Sequence, residues 1–349
     1  MSNNLHIQPL FDCTRDEAIM FDLIKYKECF RRFEFGDSIV GFVSSIAAVE
    51  NDNNQEIVSS KFELFNDYFL PGNILLIGGE TDIGKSHLVY DMIKELYLRQ
   101  RKSVALFSLA TTEEEIYLQL LSRFLGCNVA NLRCGQLSQS DWDKLYNGLG
   151  ALLEDADTHK LFIDTTPFMG VEYFEKSLKS FIEKGCEYAF IDYIQLMEVL
   201  DGRSFQNESE RITYVFRYLK QLAKQFGIPV VVISQFPFEG NDTIAPSAGQ
   251  THPLSTFHNF GTQYEDADVV MIVDGPEVRH VYQEGYGRDL HRILKISVLK
   301  DRNDNLLREI VLFWDTESYE YITYEEHMQG HRRYEEGGQI VESKINGKS

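Results

Sequence analysis

From Phe62 onward the chain alternates short apolar runs with stretches of helical periodicity. The apolar runs predict strands over 73–78, 103–109, 159–164, 187–192, 228–234 and 268–273. Helical patterns separate most of them, near 85–100, 113–125, 139–155, 170–184 and 207–226. The last is the clearest. Ile212, Val215, Phe216, Leu219, Leu222, Ala223 and Phe226 share one face, and Asn207 and Glu210 stand at capping-box spacing. This alternation predicts an α/β fold with a mostly parallel sheet covered on both faces. Two further apolar runs, 291–299 and 306–314, are joined by Lys300–Asn305 and predict a C-terminal β-hairpin.

The pattern divides the chain into an N-terminal extension (1–58), a core (59–324) and a polar tail (325–349) that should be flexible. In the extension, Asp16 to Phe33 predicts a helix with Ile19, Leu23, Tyr26 and Phe30 at helical spacing. That stripe suits packing on its own domain, or docking on a protein partner or a neighbouring subunit. A strand is plausible over 38–49, and the polar run Glu50–Gln55 reads as a boundary loop. His327 and His331 have a spacing that suits a metal, but no carboxylate or cysteine framework accompanies them.

Charge and cysteine content narrow the classes. The 349 residues carry 34 Lys+Arg against 54 Asp+Glu, a net charge of −20. Such a balance argues against a surface that coats nucleic acid broadly, though not against a local basic groove. Five scattered cysteines without a CxxC pair suggest reduced thiols and a cytoplasmic setting. The opening Met1–Asn4 is polar, with no sign of a secretory leader, and no run approaches the roughly 18 apolar residues of a membrane span.

The strongest chemical signal lies at the first core strand. Ile74–Gly78 is apolar, a helix pattern starts at Lys85, and Gly79–Ser86 between them fits G-x-x-x-x-G-K-[ST] at every fixed position. Glycines at 79 and 84 let backbone N–H groups turn inward, and the helix N-terminus adds partial positive charge. Gly79, Glu80, Thr81, Asp82, Ile83, Gly84, Lys85, Ser86 and His87 are therefore candidate nucleotide contacts. Lys85 would reach the β- and γ-phosphates, and the Ser86 hydroxyl would bind Mg²⁺. ATP and Mg²⁺ are the implied cofactors. The plainer alternative is a chance match in a tight strand–helix turn.

Two later strands end in polar residues. Tyr188–Asp192 places a carboxylate where a Mg²⁺ shell needs one, although an Asp capping an ordinary turn looks the same. Val230–Gln235 ends in an amide able to sense a γ-phosphate, or merely to close a strand.

Together these residues resemble the C-terminal motor domain of bacterial replicative helicases of the DnaB type. The resemblance rests on Gly79–Ser86, Phe107-Ser108-Leu109, Ile191-Asp192-Tyr193-Ile194-Gln195-Leu196-Met197, Ile233-Ser234-Gln235, Glu265-Asp266-Ala267-Asp268 and Lys300-Asp301-Arg302-Asn303, in matching order and spacing. It runs from about Phe62 to Tyr324, roughly three quarters of the chain. It implies a RecA-like P-loop NTPase fold, six-membered rings, ATP hydrolysis between subunits, and single-stranded DNA drawn through the centre. Lys300 and Arg302 would then reach the neighbour's γ-phosphate, Arg302 as the finger. Taken alone, that pair reads as a solvated hairpin tip.

The chain departs from the family pattern in three places. The family's water-activating Glu after the second strand aligns with Ala110, and Glu113, Glu114 and Glu115 fall on the next helix. No Lys or Arg occurs from Gln225 to Val278, where a DNA-channel loop is expected, so single-strand binding should be weak. The family's D-L-R-E-S-G run is replaced by Thr256–Gly261, without its charges. Two readings stay open. One is a divergent DNA-associated ring ATPase with slow hydrolysis. The other is an ATP-gated oligomeric scaffold or regulator that does not unwind DNA.

Overall fold

A computed structural model describes residues 65, 68–155, 158–235, 262–275, 293–302, 308–315 and 319–323. Residues 1–58 and 236–261, the expected tail with His327 and His331, and Asn303 lie outside the described residues.

Among the described residues, nine strands form one sheet: β1 (Ile74–Gly79), β2 (Val104–Ser108), β3 (Leu161–Asp164), β4 (Tyr188–Asp192), β5 (Val230–Gln235), β6 (Val269–Asp274), β7 (Ile293–Asp301), β8 (Arg308–Asp315) and β9 (Glu320–Thr323). Their order is β3-β2-β4-β5-β1-β6-β7-β8-β9. β1 to β6 pair in parallel, while β6-β7, β7-β8 and β8-β9 are antiparallel. The helices are α1 (Lys85–Lys94), α2 (Glu113–Leu125), α3 (Val129–Cys134), α4 (Gln139–Asp155), α5 (Val171–Glu183), α6 (Glu208–Phe226) and α7 (Thr262–Asp266). No helix among the described residues is long and apolar enough to cross a membrane.

Strand alternation sorts the core into two layers. Leu75, Ile77, Leu106, Phe190, Val231 and Met271 face α1 and α2, meeting Leu88, Met92, Ile93, Ile116 and Leu120. Ile74, Leu76, Phe107, Ile191, Val232 and Ile272 face α5 and α6, meeting Phe174, Leu178, Val215, Phe216 and Leu219. β1 is buried along its whole length, which explains its unbroken apolar sequence.

Helix ends follow local chemistry. The Asn207 side chain accepts from Glu210 N–H at 2.9 Å, and Gly227 closes α6 at φ 66°. The return half of the expected capping box goes one residue further back, to Gln206 N–H at 2.7 Å. Thr112 caps α2 through its hydroxyl, so Glu113, Glu114 and Glu115 occupy the first turn, where the helix dipole favours acids.

Four details differ from the sequence reading. The helix expected over 85–100 is α-helical only to Lys94 and ends in a π turn over Glu95–Arg99. α3, α7 and β9 were not expected, because six, five and four residues are too short to show a period. β7 runs on to Asp301, so Lys300 lies inside the strand rather than at a hairpin tip. β7 also pairs with β6 as well as β8, so the expected hairpin is continuous with the main sheet.

One polar cluster lies within the α1–α2 layer. Arg123 Nε donates to Asp91 Oδ1 at 2.6 Å, with both side chains 0% exposed. The Tyr321 N–H reaches Asp91 Oδ2 at 2.7 Å, and Arg123 Nη1 reaches the Gln119 carbonyl at 3.0 Å. The guanidinium also lies over the Tyr90 and Trp314 rings. Helices α1 and α2 are thereby tied to β9. Removing one partner leaves a buried uncompensated charge, so Arg123→Ala should destabilise by about 3–5 kcal/mol, and replacing Asp91 and Arg123 together by apolar residues should cost less. Urea unfolding of the single and double variants checks this. Equal loss in both would show that packing, not charge pairing, sets the cost.

Candidate nucleotide site

The carboxyl ends of parallel strands, where strand order reverses, are the usual ligand crevice of an open α/β sheet. β1 lies between β5 and β6, and its end becomes the phosphate loop. The loop turns through two left-handed residues, Asp82 at φ 62° and Gly84 at φ 98°. Gly84 precedes α1 with no side-chain cap, which leaves the helix N–H groups aimed into the crevice. A Cβ on Gly79 would approach the Val273 carbonyl to 2.8 Å, and one on Gly84 would approach the Tyr321 hydroxyl to 2.7 Å. Both positions therefore require glycine.

A cavity of about 630 Å³ opens here, bringing Asp82, Gly84, Lys85, Ser86 and His87 together with Asp192 and Gln235. Lys85 Nζ donates to the Gly79 carbonyl at 2.8 Å and to the Glu80 carbonyl. Burial lowers the Lys85 pKa to about 8, against the charges of Asp192, Asp82 and Glu80, which raise it. Burial raises Asp192, while a hydrogen bond from Ser86 and the Lys85 charge oppose the rise. The hydroxyl and carboxylate expected to hold the metal thus already contact each other, and the lysine charge acts on the same carboxylate. Their types fit a Mg²⁺–triphosphate: a cation and open N–H groups for the phosphates, a hydroxyl and a carboxylate for the metal.

Gln235 pairs in register with Gly79, at the level of the loop. Its backbone is gripped by the Gln195 side chain, which accepts from Gln235 N–H at 3.2 Å and donates to the Gln235 carbonyl at 2.6 Å. The same amide donates to Ser234 Oγ at 2.9 Å. Arg211 holds the Gln195 carbonyl from α6 at 2.9 Å.

The remaining cavity wall is apolar and aromatic, formed by Ile293, Leu294, Trp314 and Tyr321. Sequence reading missed these residues. They come from β7 to β9, far along the chain, and no motif spacing marks them. His87 packs against Trp314 at 5.6 Å between ring centres. Burial, then the Arg123 charge, lowers His87 to about 4, so the ring is neutral near pH 7.

Ala110 is exposed just beyond β2. The Leu109 N–H donates to the Asp192 carbonyl at 2.8 Å, which sets this bend beside the carboxylate strand. Ser108 lies opposite Asp192 in register, 1% exposed, and its Oγ has no hydrogen-bond partner among the described residues. β2 is separated from β1 by β4 and β5. Glu113 accepts from the Tyr117 hydroxyl, and Glu115 binds Gln119 at 3.0 Å and Arg133 at 2.5 Å.

Lys300 and Arg302 are not in this cavity. Lys300 pairs with Val270 and Asp301 with Val269, at the lower end of β6. Lys300 Nζ donates to the Glu265 carbonyl at 2.7 Å, and Arg302 Nη1 to Asp268 Oδ1 at 2.8 Å. The length of β1, about 17 Å at roughly 3.3 Å per residue, separates that end from the phosphate loop. Arg302 cannot reach phosphates held by Lys85 of its own chain.

The sequence profile of the DnaB-like helicase C terminal domain matches residues 59–323. The replicative DNA helicase DnaC of Bacillus subtilis (strain 168) is 26% identical over 239 residues, which are 67% of this chain and 49% of that protein. The replicative DNA helicase DnaB of Geobacillus stearothermophilus is 25% identical over 241 residues, with the same two coverages. The chain thus spans about half the length of the curated relatives it matches. Among solved structures, an ATPase domain superposes with TM-score 0.65 over 83% of this chain and 98% of its own. A structure of a DnaB-like replicative helicase and its interactions with primase gives TM-score 0.64 over 83% of this chain and 67% of that one. Both are 19% identical and bear on the fold alone. The sheet order, the phosphate loop and the match across the whole core agree, and the chain belongs to the DnaB-like helicase C-terminal domain family.

Proposed function

We propose that this chain is an ATP·Mg²⁺-binding ring ATPase domain that hydrolyses slowly and receives the finger of each site from a neighbouring copy. The observation that carries the reading is the convergence of Lys85, Ser86, Asp192 and Gln235 on one cavity while Arg302 lies at the opposite end of β1. Lys85 and the N–H groups opening α1 would hold the β- and γ-phosphates. Ser86 and Asp192 would hold Mg²⁺, which neutralises phosphate charge when bound. Gln235 would meet the γ-phosphate, and its Gln195 clamp would pass that contact to the residues after β4. A homo-oligomer, six-membered as the family suggests, supplies Arg302 and Lys300 in trans.

Slow turnover rests on Ala110. A methyl group neither takes a proton nor orients water, and a positioned base is worth roughly 10²–10⁴ in rate. Charge stabilisation by Lys85, the metal ligands and Arg302 would remain. A second reading, an ATP-gated oligomeric scaffold or regulator that does not unwind DNA, is favoured by Ala110 together with the cation-free stretch 225–278. Steady-state ATPase with and without single-stranded DNA separates the two: stimulation supports the motor, indifference the scaffold.

Lys85 gives a pH test of the phosphate contact. In the free protein its pKa is lowered to about 8, and phosphate beside it would favour the charged form and raise the value again. Binding should therefore take up a proton above about pH 8, and affinity should fall as pH rises through that window, with little uptake below about pH 7. Calorimetry in buffers of different ionisation heat reads the uptake. Its absence across the range would mean that Lys85 does not meet phosphate.

Completion of the site in trans predicts complementation. Arg302→Ala should bind nucleotide normally but lose turnover, by up to roughly 10³–10⁵ if the intact site is fast. Lys85→Ala should lose binding. Mixed oligomers of the two variants should regain hydrolysis that neither shows alone. No recovery in oligomers shown to contain both chains would place the finger elsewhere.

Ala110→Glu should speed hydrolysis, recovering part of the roughly 10²–10⁴ that a base supplies. A wild-type rate already typical of the relatives, unchanged by the substitution, would shift the role to another acid, with Glu113 and Glu114 first to be replaced.

A further inference from the structure

At the lower end of the sheet, donors from three elements converge on one carboxylate. Asp268 stands just before β6 and is 1% exposed. Its Oδ2 accepts from the Ile74 N–H, the first of β1, at 2.8 Å, and from Lys220 Nζ of α6. Its Oδ1 accepts from Arg302 Nη1 at 2.8 Å, and its backbone carbonyl from the Arg302 N–H at 3.2 Å. Its own N–H returns to the Ile74 carbonyl at 3.0 Å.

A carboxylate buried this deeply is costly unless its oxygens are engaged, and burial of an ion pair is weak support for stability as such. The exposures of the two cations differ. The Lys220 side chain is 10% exposed and closes the cluster inward, whereas Arg302 is 52% exposed. One nitrogen of the Arg302 fork and the residue's own N–H are fixed on Asp268. The guanidinium is thereby oriented without being hidden. An unanchored arginine at a strand end would lose much of that orientation, and a group acting on transition-state charge depends on it.

We propose that Asp268 is a positioning residue for the trans site: it aims Arg302 at the neighbouring subunit and fixes it to the root of β1, the strand whose far end is the phosphate loop. This rests on the reading that Arg302 acts on the neighbour's nucleotide. Each subunit's own phosphate loop and the finger it presents outward are then attached to opposite ends of one fully buried strand. Neither Asp268 nor Lys220 touches nucleotide in this arrangement.

The test is single-turnover ATP hydrolysis by the full-length oligomer, which is readable however slow the rate. Asp268→Asn should slow the step by roughly 10–100-fold, with the apparent KM for ATP and the oligomer size unchanged, because the Lys85 cavity is at the other end of β1. In an Arg302→Ala background the same substitution should cost nothing further. A full additional loss in that background would make Asp268 merely structural and overturn the proposal, as would an unchanged rate for Asp268→Asn alone. Arg302→Lys keeps the charge at a half-exposed side chain and serves if Asp268→Asn does not fold. It should be nearly as slow as Arg302→Ala, because an ammonium cannot both hold Asp268 and extend a second donor in a fixed plane. A wild-type rate in Arg302→Lys would overturn the positioning role. If Arg302→Ala itself hydrolyses at the wild-type rate, the finger reading fails and this proposal with it. That outcome is distinct from a slow Arg302→Ala beside an unaffected Asp268→Asn, which removes only the role of Asp268.

Discussion

The burial of β1 on both faces constrains everything else in the molecule. Ile74, Leu75, Leu76 and Ile77 are each 0% exposed, packed between the α1–α2 layer and the α5–α6 layer. No polar chemistry can occur along such a strand, because an unpaired polar group there would carry its full desolvation cost. Chemistry is confined to the two ends. At the upper end, the chain must turn sharply into α1 with its N–H groups exposed, which requires left-handed backbone at Gly84 and close approach at Gly79. At the lower end, the first N–H of the strand is taken by Asp268. A fold with this central strand can hold phosphate at one end and present an arginine at the other. It cannot bring the two together within one chain, and that geometric gap is the physical ground for proposing a site shared between subunits.

The upper end holds opposing charges under partial burial. Lys85 and Asp192 are both about 5% exposed, and burial works against the charged form of each. Each charge favours the other, and local donors and acceptors oppose the effect of burial. Lys85 bonds carbonyls of its own loop, and Ser86 bonds Asp192. Incoming phosphate would replace the first set of contacts and a metal ion the second. The exchange is of like for like: carbonyl oxygens give way to phosphate oxygens at Lys85. Preorganisation of this kind lowers the cost of ordering side chains on binding.

Legibility in the sequence followed the range of the interactions. The six parallel strands were readable to within a residue or two, because each is an apolar run bounded by turns and most are separated by a helical stripe. Lys85, Ser86 and Asp192 were readable because their geometry is fixed within a few residues of a strand end. The aromatic wall of Trp314 and Tyr321 was not, since it reaches the loop only through sheet order. The same holds for Asp91, whose partners are Arg123, 32 residues away, and Tyr321, 230 residues away. Each of these looks like an ordinary helix or strand residue until the layers close. Lys300 and Arg302 fell between the two cases. Their motif was visible, but a polar run between two strands reads as a hairpin tip. Only the register Val269↔Asp301 shows that the pair belongs to the lower end of the sheet, beside Asp268.

At Ala110 the local architecture is independent of the side chain that the position carries. The bend that carries it is still set by Leu109 N–H on the Asp192 carbonyl, and Ser108 still faces Asp192 across the sheet. Those contacts involve backbone and a neighbouring side chain, so they do not depend on what residue 110 is. The position is exposed, and an alanine there costs the fold nothing. Catalysis is different, because a general base acts through its own side chain and nothing in the backbone substitutes for it. In the proposed site, binding, metal support and trans charge stabilisation would come from Lys85, Ser86, Asp192 and Arg302, none of which depends on position 110. Loss of the carboxylate would therefore slow one step and leave nucleotide-dependent assembly intact. That separation is compatible with both a slow motor and an ATP-gated scaffold, which differ in whether single-stranded DNA changes the rate.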